Sequence, residues 1–276
     1  SAAFLFAAQM LNFPVVAGTS GHLIGGVLVA AVLGPSAAVV VVTTVLIVQC
    51  FFFQDGGVLA LGANVFNMAI LGAGGGWMVY RGIQAVVPGP RGRLTALAFA
   101  GWISTVLAAA SCAGQLAWSD KVPWRSAFTA MVGVHLLIGV GEGVISALIF
   151  AAIQRTRPEL MQSTQQDCSC QRWSEFVRYG LMVSVGMALF VAPFACPWPD
   201  GLEAVAEKLG FAQVATKPTL PALAPDYAFP GIHSAPLATA VAGAIGAIIV
   251  FLLALLLARV LVPNHSAPVS AANSRP

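Results

Sequence analysis

The sequence predicts an all-α polytopic membrane protein: a helix bundle with about seven transmembrane segments, an N-terminal helix fragment ahead of them and a small external insert near the end. Three observations carry this prediction. Of 276 residues, 58% are hydrophobic and 8% charged, whereas a soluble domain carries about 25% charged residues. No Asp, Glu, Lys or Arg precedes Asp55, and Glu142 is the one charged residue deep inside a long apolar run. The mean hydropathy is +0.87. A water-facing surface cannot be assembled from such a chain, which excludes soluble enzymes and nucleic-acid binders. The net charge of +3 is too small and scattered for a polyanionic partner. The five cysteines, at 50, 112, 168, 170 and 196, lie mostly in or beside apolar segments and read as small apolar residues, not as a disulfide framework.

Taken in order, residues 1–12 form the fragment. Residues 1–11, SAAFLFAAQML, are too short to cross a hydrocarbon layer of about 30 Å at about 1.5 Å per residue, so the chain is expected to begin within a helix. Pro14 ends that helix, and a Gly/Thr/Ser-rich loop follows. The run 22–33 is closed early by Gly34 and Pro35, which predicts a broken or inclined helix packed inside protein. Apolar runs at 36–53, 58–80, 94–117, 127–154, 174–194 and 237–262 complete the set, each bounded by Gly, Pro or charge.

Basic residues orient the spans. The connection 81–93 (Arg81, Arg91, Arg93), the connection 155–173 with its flank (Arg155, Arg157, Arg172, Arg178) and the tail (Arg259, Arg275) hold nine of the thirteen Lys and Arg. These ends are expected to be cytoplasmic. The opposite connections carry Asp55, Asp120 and the insert 195–236 with Asp200, Glu203, Glu207 and Asp226, which puts the loop 13–22 and the insert outside. Within the insert, PDGLEAVAEKLGF has the form of a short helix capped by Asp200, and a Pro-rich stretch runs from Lys217 to Pro236.

The stretch QMLNFPVVAGTSGHLIGG, residues 9–26, is the most unusual. His22 stands where the chain turns back into the membrane, and a neutral imidazole is a good ligand for a borderline divalent metal such as nickel, cobalt, copper or zinc. A lone His more often bonds a loop carbonyl, and one His cannot hold a metal by itself. Asn64 and Asn67, spaced i and i+3, either orient the His22 loop as outer partners of a metal site or make interhelical hydrogen bonds. Asp55, beside Gly56 and Gly57, reads as an organiser of a helix end. His135 and Glu142 lie two helical turns apart on one stripe, a functional pattern in a membrane helix by default, yet Gly139, Gly141 and Gly143 around them favour a paired structural role. Cys168-Ser169-Cys170 lacks the second pair a zinc site needs.

The runs FAAQMLNFPVVAGTSGHLIGG (6–26), FQDGGVLALGANVFNM (53–68) and VHLLIGVGEGVISAL (134–148) together resemble the CbiM/NikM family, the cobalt/nickel substrate-binding subunits of energy-coupling-factor transporters. WPDGLEAVAEKLGF (198–211) with its flanking helices resembles the PDGLE accessory segment, similar to CbiN/NikN, found fused to or beside such subunits. The resemblance implies a non-enzymatic subunit with no intrinsic cofactor that captures Ni2+ or Co2+ as its cargo. It implies residues 1–160 as the metal-binding membrane core, 174–262 as the two-helix accessory segment, and 263–276 as a polar cytoplasmic tail. It further implies as partners a transmembrane coupling (T) subunit and ABC-type ATPase subunits, besides the metal ion and membrane lipid, and no nucleic acid. The family holds its metal in a plane of four nitrogens: the N-terminal amine, the next backbone nitrogen, the imidazole of a second-position His, and the His of GTSGH. His22 matches the last of these, while the Met-His start and the first helix that carry the others are absent from this chain.

An alternative is an intramembrane rhomboid-like serine protease, because Gly18-Thr19-Ser20-Gly21 fits GxSG and His135 stands available as a base for Ser20. A four-residue pattern is weak beside the three motifs. An ion channel lined by residues 18–26 lacks any ring of acids or a repeat to build one.

Overall fold

Helices close all their backbone hydrogen bonds internally, so long apolar segments of this chain have one stable form in a bilayer. The computed structural model describes residues 1–16, 18–156, 170–214 and 220–261. Among them, six helical segments are long and apolar enough to cross: Pro35–Phe53, Gly57–Val86, Pro90–Trp118, Trp124–Thr156, Val177–Phe194 and Ala235–Leu261. Of the seven expected segments, six are long enough to cross by themselves among the described residues, and the seventh is the run 22–33, expected to be broken or inclined. The run 22–33 yields only Gly26–Leu33 as helix, eight residues or about 12 Å at 1.5 Å per residue, less than half of the hydrocarbon thickness.

The order of elements is α1 (Ala2–Gln9), the two-residue strands β1 (Phe13–Pro14) and β2 (Ser20–Gly21), α2 (Gly26–Leu33), α3 (Pro35–Phe53), α4 (Gly57–Asn64), a π-wound stretch Val65–Gly75, α5 (Gly76–Val86), α6 (Pro90–Trp118), α7 (Trp124–Thr156), α8 (Cys170–Phe190), α9 (Gly201–Leu209) and α10 (Ala235–Leu261). α2 dips into the bundle, Gly34 and Pro35 reverse the chain, and α3 climbs back. The loop and insert residues lie at one end of the bundle. Arg81, Arg91, Arg93, Arg155 and Arg259 lie at the ends of helices that point the other way. Residues 157–169 of the 155–173 connection, with the Cys168-Ser169 pair, Lys217 and the tail 263–276 fall outside the described residues.

Small residues set the tightest helix contact, as is usual where lipid removes the hydrophobic drive between helices. A side chain at Gly143 would strike the Ala98 carbonyl oxygen, and one at Gly139 would meet the Trp102 carbonyl oxygen at 3.0 Å. α6 and α7 therefore approach backbone to backbone, and Trp102 Nε1 donates to the Leu136 carbonyl at 2.9 Å. A first core joins α1, α3 and α10 through Phe6, Val42, Val45, Phe53 and Val250. A second gathers Val27, Leu97 and Phe150. At the insert end, Val205 of α9 packs on Ala109, Ala113 and Met131. α9 starts as the sequence predicts: the Asp200 carboxylate accepts from the Leu202 and Glu203 N–H groups, each at 2.8 Å, and Glu203 reaches back to the Asp200 N–H at 3.2 Å.

Candidate functional site

The loop between α1 and α2 has an order that local chemistry explains. Phe13 pairs with Gly21 and Pro14 with Ser20 in a minimal antiparallel hairpin, and Val15 N–H donates to the Thr19 carbonyl at 2.9 Å across its tip. His22 follows β2 directly. At Gly25 the backbone takes φ +68°, a conformation open to glycine at no steric cost, and a side chain there would collide with Leu5. This turn aims the chain down into α2.

Irregular backbone inside a membrane protein needs partners for its peptide groups. Two helices supply them, and a third holds one of the partners. Glu142 of α7, 1% exposed, accepts the Ile24 N–H on Oε2 at 2.6 Å and the Gly25 N–H on Oε1 at 2.8 Å. Gln9 of α1 donates from Nε2 to the Ile24 carbonyl at 3.0 Å, and Gln49 of α3 donates to Gln9 Oε1 at 3.0 Å. α7 also forms the bed of the loop: a Cβ at Gly21 would meet Ile138 at 2.7 Å, and one at Gly141 would meet the Phe13 ring at 2.5 Å.

Into this frame His22 brings a half-buried imidazole whose Nδ1 is buried with no hydrogen-bond partner among the described residues. Leaving a buried acceptor or donor unmet costs about 1–3 kcal/mol, and an electron-pair acceptor such as a divalent cation removes that cost when the nitrogen is unprotonated. A His that satisfied a loop carbonyl would show the opposite arrangement. His22 lies within electrostatic reach of Glu142 and of His135.

The insert lies over the same loop. Ser20 N–H donates to the Pro199 carbonyl at 2.8 Å, and Cys196 N–H donates to the Asn12 carbonyl at 2.9 Å. A Cβ at Gly201 would meet His135 Nε2 at 2.9 Å. A second anchor joins the insert to the end of α3. Ala224 N–H donates to the Phe52 carbonyl at 2.9 Å, and Tyr227 stacks on Phe53 with ring centres 4.7 Å apart while its hydroxyl donates to Asp55 at 2.6 Å. Burial, then the negative charge of Asp55 and the bond donated to it, push the Tyr227 phenol well above its usual range. Burial, then the neighbouring Asp200, also raises Glu203.

Other expected residues go elsewhere. Asn64 closes α4, and from Val65 the winding is π, so spacing i and i+3 no longer places Asn64 and Asn67 on one face. Asn67 exchanges two hydrogen bonds with Gln115 of α6, each 3.0 Å, which is the interhelical alternative. The π stretch still supports the loop through its backbone, since Gly26 approaches Ala73 so closely that a Cβ would sit 3.0 Å from the Ala73 nitrogen. His135 and Glu142 are not paired: His135 Nδ1 lies 2.7 Å from the Met131 carbonyl in its own helix. The protease reading fails on the same geometry. Ser20 Oγ donates to the Trp198 carbonyl at 2.8 Å, its proton is committed to that acceptor, and the hydrogen bond from serine to a base that activation requires is not made to His135.

Gln9, Gln49, Gln115 and Tyr227 were not anticipated. For the three glutamines a signal existed: an amide inside an apolar run needs a partner as surely as a charge does. Tyr227, in a Pro-rich insert, had none.

Known proteins carry both parts of this architecture. Residues 1–160 match the family described as the cobalt uptake substrate-specific transmembrane region, CbiM, and residues 174–263 match the PDGLE domain. A chain of Archaeoglobus fulgidus with the provisional name fused nickel transport protein NikMN is 36% identical over 94% of this chain and 84% of its own length. The fused nickel transport protein NikMN of Rhodobacter capsulatus is 32% identical, over 62% of this chain and 54% of its own. The cobalt transport protein CbiM of Roseiflexus sp. is 32% identical over 59% of this chain and 67% of its own.

Proposed function

The chain belongs to the CbiM family of cobalt uptake transmembrane proteins, with a PDGLE domain fused behind the CbiM region, and on that premise we propose that it is the substrate-binding membrane subunit of an ATP-driven nickel/cobalt uptake transporter. The ion is captured on the outer side, at the loop 13–22, with His22 as one nitrogen ligand. The observation that carries this reading is the buried His22 Nδ1 without a partner among the described residues, in a loop otherwise satisfied at its neighbouring peptide groups.

Residues 1–160 form the metal-handling unit in this reading, and 174–262 a two-helix accessory unit whose insert roofs the loop. The sequence holds no GxxxxGK[ST] phosphate loop, so energy comes from partners, a transmembrane coupling subunit and ABC-type ATPases. The acid-rich end, with loops 13–22 and 195–236, faces outside, and the arginine-rich ends, the connections 81–93 and 155–173 and the C-terminus, face the cytoplasm. Asn67 acts on the site only at a distance, by tying the π-wound support beneath the loop to Gln115 of α6.

A single imidazole leaves most of the ion's coordination shell to water, while four planar nitrogens select nickel(II) by geometry. Isothermal titration with Ni2+ in detergent compares the 276-residue chain with the same chain joined to an amino-terminal segment that begins Met-His. The joined form is expected to bind far more tightly, with an affinity that rises with pH because the amine and peptide nitrogens lose protons on binding. Equal, tight and planar nickel binding by the 276-residue chain overturns the ligand assignment.

A further inference from the structure

Glu142 is a charge in a place where charge is costly. At the middle of a membrane helix an acid is disfavoured by several kcal/mol unless it has partners, and its residue is 1% exposed. Among the described residues its partners are not a basic side chain but two consecutive peptide N–H groups, those of Ile24 at 2.6 Å and Gly25 at 2.8 Å. These are the second and third residues after His22, immediately before the chain turns into α2.

We propose that Glu142 is the positioning residue of the metal site: its carboxylate clamps the Ile24 and Gly25 peptide groups and thereby fixes the His22 imidazole in its ligand-ready orientation. The proposal rests on the reading of His22 as a metal ligand.

The clamp is two-pointed, which makes it orientational. One hydrogen bond lets a peptide plane rock about the bond, whereas two bonds to the two oxygens of one carboxylate hold successive peptides in a single register. The Ile24 carbonyl is held from the other side by Gln9, itself held by Gln49. Ile24 therefore has both its peptide groups bonded to buried side chains of different helices, and the backbone two residues from His22 cannot swing. Glu142 in turn is fixed by the close approach of α6 and α7, where a Cβ on Gly101 would meet Glu142 Cγ at 3.5 Å. A ligand held this way needs no reorganisation to bind, and outer groups that orient metal ligands contribute about 10–100-fold to affinity.

Glutamine at this position keeps the size of the side chain but offers one acceptor and turns an NH2 toward the other peptide N–H. Three readouts in detergent, on the 276-residue chain joined to an amino-terminal segment that begins Met-His, test the clamp. Amide hydrogen exchange in the absence of metal is expected to be slow at Ile24 and Gly25 and fast at the exposed tip near Val16. In Glu142→Gln the two amides are expected to exchange at least about tenfold faster, with exchange in α6 and α10 unchanged. Ni2+ affinity is expected to fall by about 10–100-fold, together with the preference for Ni2+ over Zn2+, which a change confined to overall stability would not move. If Glu142→Gln does not fold, exchange in the unaltered protein decides: Ile24 and Gly25 amides as fast as those near Val16 overturn the proposal. If His22→Ala abolishes Ni2+ binding while Glu142→Gln binds as before, the clamp fails and the metal site stands. If neither variant alters Ni2+ binding, the metal reading fails and takes the clamp with it.

Discussion

Buried amides and a buried carboxylate tie helices and loop together in this protein. Gln115 illustrates the energetics. It donates to and accepts from Asn67, and its Nε2 also lies 3.4 Å from Ser111 Oγ. Interhelical hydrogen bonds in membrane proteins average about 0.6 kcal/mol and reach about 1.7. Gln115→Leu, which leaves the Asn67 amide unmet, is expected to destabilise the bundle by about 1–2 kcal/mol. The Asn67→Leu, Gln115→Leu pair is expected to cost less than the sum of the two single changes. Unfolding in mixed micelles measures both, and strict additivity would show that the two amides do not interact.

The insert is the element whose attachment can be followed most directly. It is pinned at Ser20 and Asn12 by its first half and at Phe52, Phe53 and Asp55 by its second. Tyr227 makes the second anchor readable by absorbance. Its phenol titrates above its ordinary value in the folded protein, so folding favours the protonated form. The contribution of this anchor is therefore full below about pH 10, the unfolded value, and is lost as pH rises through the folded value. An alkaline titration followed at the phenolate band is expected to end in a late step that Tyr227→Phe removes. Survival of the late step in Tyr227→Phe would assign it to another tyrosine. At α9, burial and then the neighbouring Asp200 raise Glu203 above its ordinary value, so folding favours its protonated form and its contribution falls as pH rises through the folded value.

The distribution of charge between the two ends of the bundle makes a directional prediction. Asp55, Asp120, Asp200, Glu203, Glu207 and Asp226 gather at the end that holds the loop and insert, and Arg81, Arg91, Arg93, Arg155 and Arg259 near the opposite one. A protease added to sealed right-side-out vesicles is expected to cut within 195–236 and to leave 81–93 intact. Cleavage of the insert only in inverted vesicles would reverse the orientation and the direction of capture with it.

What the sequence determined by itself is what each residue decides locally. Hydropathy and Gly/Pro punctuation placed the six long spans to within a few residues, because the cost of an unpaired peptide in lipid is paid segment by segment. The Asp200 cap was legible because its partners lie two and three residues away. Gly34 and Pro35 announced that the run 22–33 was interrupted, but not that its helix would shrink to eight residues, since the preceding four were drawn into a loop held by other helices. Tertiary structure alone decided which polar groups meet. Glu142 finds Ile24 across 118 positions and Tyr227 finds Asp55 across 172. Neither pairing has a periodicity, because it is set by how closely Gly139 and Gly143 let α6 and α7 approach and by where the insert lands. The π winding after Val65 likewise turned Asn67 toward Gln115. A one-dimensional pattern states which residues need a partner in a membrane, and only the packed helices settle which partner each one has.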